Sequence, residues 1–306
     1  MFKKILLCLP PMEVSESVTE MALALAKKQN ARVCLFHAPG VMSSGWGSVG
    51  HLLPSGEVEK IKANIESAFK GDLDRLPGYS IIVEPGLPHS EILRNARREN
   101  VDLIVMGPHA QADADRRQKV WGMAGSTLEK VSQKARCPVM IVSRAEPEKQ
   151  VEFRNIVMAT DFTHQAAFAL NFACNMAREF DSALHVFNVF DIGGEGDMAE
   201  LSQQDIEHYL KRTREDMEKK FQPQFHGLRS TSIDVWEGKP FVEILKYARF
   251  KDADLVVMAH HSTGVDPEKA FLGSTVAHVS LRSSCPVISV NRYIYPTPVD
   301  REAAGA

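Results

Sequence analysis

Phe2-Lys3-Lys4-Ile5-Leu6-Leu7 and Phe153-Arg154-Asn155-Ile156-Val157-Met158 read as one stretch written twice, 151 positions apart. Outward from it the correspondence continues with small drift. Gly86-Leu87-Pro88 and Glu91-Ile92-Leu93 match Gly238-Lys239-Pro240 and Glu243-Ile244-Leu245 at a displacement of 152, and Asp102-Leu103-Ile104-Val105-Met106 matches Asp254-Leu255-Val256-Val257-Met258 at the same one. Gly125-Ser126-Thr127 then matches Gly273-Ser274-Thr275, and Cys137-Pro138-Val139 matches Cys285-Pro286-Val287, both 148 apart. A period this long is a duplicated domain rather than a solenoid repeat. Two copies of one fold on one chain are free to diverge in chemistry.

The 306 residues suit two domains, each large enough for its own core. A net charge of −3 gives no basic field for nucleic acid or an anionic membrane. No run approaches the ~18 apolar residues of a spanning helix, and the amino terminus reaches a strand without a signal-peptide core. Five cysteines, an odd number without a CxxC pair, fit a reducing cytoplasm. Cys137 and Cys285, at one repeat position before an apolar strand, read as small packing residues.

In each half, short apolar runs alternate with helical spacing. Ile5–Leu9, Arg32–His37, Ser80–Val83, Leu103–Met106 and Val139–Val142 read as strands, as do Ile156–Ala159, Ala183–Val189, Ser232–Val235, Leu255–Met258 and Val287–Val290. Their lack of period-two alternation means burial on both faces. Alternation with helices then implies an α/β fold with a doubly wound parallel sheet. Thr163 is placed to cap a helix, and Pro88 and Pro240 stand where a first turn needs no N–H. Residues 1–146 form the first expected domain, 151–291 the second and 292–306 a tail, with a charged linker containing Pro147.

Here the residues reach a family. Each half resembles a universal stress protein domain, and residues 2–291 are similar to a tandem universal stress protein. The resemblance implies strand order 3-2-1-4-5 in each of two five-stranded sheets, related by a pseudo-two-fold axis through their fifth strands. Nucleotide-binding members carry Asp at the end of the first strand. They also carry Gly-x-x-Gly after the fourth strand, then nine residues and Gly-Ser/Thr. A carboxylate there accepts from ribose hydroxyls, glycines let backbone approach phosphates, and the Gly-Ser/Thr pair opens a helix whose N–H groups suit an anion.

By that resemblance the second half keeps Asp161 and Gly273-Ser274-Thr275, and Val189 offers backbone contacts to a base. Ala259 and Ser262 replace the two glycines, flanking the ligand loop that also holds His260, and the interval to Gly273 is one residue longer than the pattern. Alanine in a glycine-only geometry would be strained, and its methyl would intrude on a phosphate. The first half departs further: Pro10 replaces the Asp, Ala110 the second glycine, and a loop with Arg116, Arg117 and Lys119 runs on to Gly125. Asp161 has a plainer reading as a cap on the following turn, and Ser274 and Thr275 as caps of the last helix.

Adjacent histidines in extended chain point to opposite faces, so His260 and His261 do not share an ion. Nor is there an H-x-x-x-H spacing to bring in His185 or His278, so no metal is assigned. The leading expectation is a cytoplasmic stress-response protein that binds a small molecule in a second-half crevice, with weak ATP binding and no turnover. Its halves form an internal pseudo-dimer, with a further homodimer left open. A carrier or scaffold for an apolar molecule, both nucleotide sites being eroded, is the alternative. A slow ATP hydrolase is the lesser one, since no P-loop and no magnesium-placing carboxylate pair occurs.

Overall fold

The computed structural model describes residues 1–10, 16–39, 56–108, 126–143, 151–191, 202–260 and 273–291. The first half runs β1 (Lys4–Leu9), α1 (Glu16–Gln29), β2 (Arg32–His37), α2 (Glu57–Leu73), β3 (Tyr79–Val83), α3 (Pro88–Arg98), β4 (Leu103–Met106), α4 (Ser126–Lys134) and β5 (Val139–Ile141). The second repeats it as β6 (Asn155–Ala159), α5 (His164–Phe180), β7 (Ala183–Phe190), α6 (Gln203–Phe221), β8 (Ser230–Glu237), α7 (Pro240–Phe250), β9 (Leu255–Ala259), α8 (Ser274–Arg282) and β10 (Val287–Val290).

Local chemistry sets these boundaries. Thr163 caps α5, its hydroxyl accepting from the Ala166 N–H at 3.2 Å. Pro88 and Pro240 open α3 and α7. The repeated aspartates fasten strand starts: Asp102 accepts from the N–H groups of Lys3 and Lys4 at 2.8 and 2.9 Å, and Asp254 from that of Asn155 at 2.9 Å. β8 outruns its apolar pattern. Ser230 and Thr231 pair with Ala183 and Leu184 through backbone alone, so side-chain polarity does not end the ladder.

Each half keeps the order 3-2-1-4-5, but the two five-stranded sheets are not separate. They merge into one sheet of ten strands, ordered β3-β2-β1-β4-β5-β10-β9-β6-β7-β8. All pairings are parallel except at the seam, where β5 meets β10 antiparallel with Met140 opposite Ile288. Antiparallel pairing of equivalent strands puts the pseudo-two-fold there. The physical cause is plain: Val139, Met140, Ile141, Val287 and Ile288 are almost fully buried, and an apolar edge gains by acquiring a partner.

The two faces of the sheet differ. Under α1, α2, α5 and α6 one continuous apolar cluster crosses the seam, joining Met140 and Val142 to Phe153, Ile288 and Val290. Phe2 meets Phe172 there with ring centroids 6.4 Å apart, and the Lys28 ammonium donates to the Val151 carbonyl at 2.9 Å. On the opposite face the halves keep separate cores, one under α3 and α4 and one under α7 and α8.

Candidate functional site

β6 ends at Ala159 while its neighbour β7 continues to Phe190. That step leaves a crevice of about 190 Å³ at the carboxyl ends of β6, β7 and β9, walled by the amino-terminal turns of α7 and α8. Parallel sheets open in this way where strand order reverses. Of the residues expected to face a ligand, Asp161, Val189, Ala259, Gly273, Ser274 and Thr275 line it together. Ser262 lies outside the described residues, as do Ala110, Arg116, Arg117, Lys119 and Gly125 of the first half and the tail.

His260 is a correction. It is fully buried beside the crevice rather than in its wall. Its N–H donates to the Val290 carbonyl at 2.9 Å, and its own carbonyl accepts from the Gly273 N–H at 3.2 Å. The backbone of His260 therefore closes the base of the loop between β9 and α8.

Ala259 is a second correction. It ends β9 without adopting a positive φ, so no glycine-only geometry is forced on it. What remains of the expectation is the methyl group, which stands in the crevice wall. Ser274 and Thr275 are a third. Gly273 is the residue that caps α8, so these two occupy the first turn instead, and no hydrogen bond ties down their hydroxyls among the described residues.

Asp161 does cap a turn: its Oδ1 accepts from the Thr163 N–H at 3.1 Å and hydroxyl at 2.7 Å. Its Oδ2 has no protein partner among the described residues, and the side chain is exposed at the crevice mouth. Phe162 holds this turn in shape. It takes φ of 63°, unusual for a bulky residue, and its ring stacks on Phe221 at 6.2 Å.

Val189 lies beyond the last pairing of β7 with β6. The Phe187 carbonyl accepts from the Thr160 N–H, and the Phe190 carbonyl turns the other way to accept from Gly238 N–H, both at 2.9 Å. Strand alternation therefore directs the Val189 N–H and C=O past the end of β6, into the crevice. Asn188 braces the same corner, its side-chain amide donating to the Thr160 carbonyl at 2.7 Å.

Sequence reading missed the apolar part of the site: Phe187, Ile244, Met258 and Val276 line its depth, with Pro240 at its rim. Phe187 was in reach, since it lies two residues before Val189 and so on the same face of β7. His185 and His278 do not join the crevice. His185 Nδ1 lies 2.8 Å from the Ser232 hydroxyl, and burial followed by the nearby Lys251 lowers its pKa. His278 packs on Phe241, with ring centroids 4.6 Å apart. No group of three His, Cys, Asp or Glu fit to hold a metal occurs among the described residues, and none of their helices is long and apolar enough to cross a membrane. The cysteines are packing: burial raises the Cys8 and Cys174 thiols above their ordinary value and pushes Cys137 up to about 12.

A sequence profile of the universal stress protein family matches residues 1–143 and again 152–291. A universal stress protein of Methanocaldococcus jannaschii is 32% identical over 144 residues, covering 46% of this chain and 83% of its own. One from Bacillus subtilis is 29% identical over 154 residues, covering 46% of this chain and 99% of its own. Each relative thus corresponds to about half of the chain. At the level of fold, the crystal structure of a universal stress protein from Archaeoglobus fulgidus superposes with a TM-score of 0.65 at 18% identity, over 95% of this chain and 97% of that one.

Proposed function

The chain belongs to the universal stress protein family, and from that premise we propose that it is a stress-response protein whose second half binds an adenine-nucleotide-type ligand, weakly and without turnover. One observation carries the reading: Asp161, Val189 and the first turn of α8 line a single crevice with an apolar depth. Asp161 would accept from ribose hydroxyls, Val189 would pair with the edge of a base, and the α8 amino terminus would face phosphate. The Ala259 methyl narrows the phosphate end, which accounts for weak affinity. Among the described residues, no group in the crevice is placed to activate water or to hold magnesium with a second carboxylate.

Calorimetry with ATP tests this through two variants. Asp161→Asn keeps an oxygen for Thr163 but loses the charge. It should leave the melting temperature nearly unchanged and weaken ATP about tenfold, as loss of a charged hydrogen bond predicts. Asp161→Ala should lower both. Equal ATP affinity in all three proteins would refute the reading, and steady phosphate release would refute the absence of turnover.

A second reading has its own support. Phe187, Val189, Ile244, Met258 and Val276 make the crevice mostly apolar in depth, which suits a small apolar cargo equally well. The mass of any ligand retained by freshly purified protein separates the two.

A further inference from the structure

Phe187 lines the crevice as a fully buried ring, packed against a cluster on β8 and α7. The Tyr247 ring lies parallel to it, 3.9 Å between centroids and 2° between planes. This is closer than the roughly 4.5–7 Å usual for aromatic pairs. Trp236 meets both rings edge-on, at 5.3 Å from Phe187 and 5.2 Å from Tyr247. So close a pair needs something to fix its offset, and the structure supplies it. The Tyr247 hydroxyl donates to Asp234 Oδ2 at 2.5 Å, and the same oxygen takes the Lys251 ammonium at 3.2 Å. Lys251 also lies 5.2 Å above the Tyr247 ring. Neither Asp234 nor Tyr247 lines the crevice.

We propose that Asp234 and Tyr247 are positioning residues: through the hydroxyl–carboxylate bond they set the plane of the Phe187 ring, and so the crevice's affinity for a flat ring. This rests on the reading of the crevice as a site for a nucleotide base. The ribose end lies with Asp161, whose hydrogen bonds go to Thr163, and the phosphate end with the Ser274–Thr275 turn; neither is hydrogen-bonded to Asp234 or Tyr247. The two residues therefore govern recognition of the base selectively. The ion pair with Lys251 keeps Asp234 charged: burial works to raise its pKa, and the bonds from Tyr247 and Lys251 outweigh that and hold it low.

The test uses the full chain with Tyr247→Phe and Asp234→Asn, the first preserving the ring and the second the shape. The ligand-independent measurement is the methyl NMR spectrum. Ile244, Met258 and Val276 share the crevice with Phe187, so their ring-current shifts should move in both variants, while Leu170 on the opposite face should not. The second measurement compares AMP with ribose 5-phosphate. AMP should weaken about tenfold in both variants, and ribose 5-phosphate should be unaffected. A protein loosened as a whole would lose both ligands and shift Leu170 as well, which overturns the proposal. Unmoved crevice methyls, or moved methyls with unchanged AMP affinity, overturn it too. Failure of the wild-type protein to bind AMP at all sinks the nucleotide reading instead. The methyl shifts then decide whether the two residues position the wall.

Discussion

Asp161 carries two loads on one carboxylate. Oδ1 holds the Thr163 turn, and the residue also lines the crevice, with Oδ2 left without a protein partner among the described residues. Ala259 shows the converse: a residue suspect in the sequence is unstrained in the strand, so only its methyl bears on a ligand. Ala259→Gly should therefore improve ATP affinity by no more than about tenfold, while glycine in a strand costs about 0.5–1 kcal/mol of stability. Calorimetry and urea unfolding measure the two effects. Unchanged affinity would assign the closure of the site to the longer loop before Gly273.

The histidines make the molecule sensitive to mild acid. Burial lowers the pKa of His37, of His185 together with Lys251, and of His89 together with Lys130 and Lys134. The unfolded chain then binds more protons than the folded one as pH falls through 6.5, the ordinary histidine value. Stability should be fully present above that pH and decline below it. Glu84 adds a later loss. Burial opposes its ionisation, but Asn95, Arg98 and Arg94 bring its pKa down to about 2, so its contribution disappears as pH falls from 4.5 towards that value. A urea midpoint that stayed constant between pH 7.5 and 5.5 would contradict the histidine part. His185→Gln should flatten some of the slope.

At the scale of elements, the turn entering α7 shows why a repeated Gly persists in the chain. Gly238 has φ of 133°, and an added Cβ would stand 2.8 Å from the Glu243 Cγ. Gly86 meets Glu91 at the same 2.8 Å in the first half. Glu243 is nearly buried and paired with Lys246 at 2.7 Å, so yielding to the methyl would break that contact. Gly238→Ala should cost about 1–3 kcal/mol, read as a lower thermal midpoint with the folded circular dichroism spectrum retained. A midpoint within a degree of wild type would mean that the turn relaxes freely. The helix boundaries were legible from Thr163, Pro88 and Pro240 because caps act within one turn. The length of β8 was not, because its extra residues Ser230 and Thr231 are held by neighbouring backbone rather than by an apolar pattern.

The whole molecule is held at the β5–β10 seam and by the apolar cluster crossing beneath it. Both halves should unfold in one transition, by calorimetry and by circular dichroism alike. Ile288→Asp would place an unpaired charge opposite Met140 in that seam, a change expected to abolish cooperative folding. Residues 1–143 expressed alone should self-associate through the uncovered β5 edge. A monomeric, stable first half by sedimentation would show that the seam is not needed to cover it.

The sequence by itself determined the duplication, through landmarks recurring in register, and the parallel α/β class, through the alternation of apolar strands with helices; the strand order came from the family resemblance. The family resemblance pointed to Asp161, Val189 and the opening of α8, which the fold places along one crevice. The tertiary structure decided the rest. It showed the form of the expected junction of fifth strands: β5 pairs with β10 antiparallel, so the two sheets run on as one. It buried His260 and freed Ala259 of strain, because backbone angles after a strand are set by the contacts around the loop. The aromatic wall behind the crevice also came only from the fold. Phe187, Asp234 and Tyr247 are far apart in the chain and meet only when β7, β8 and α7 pack together.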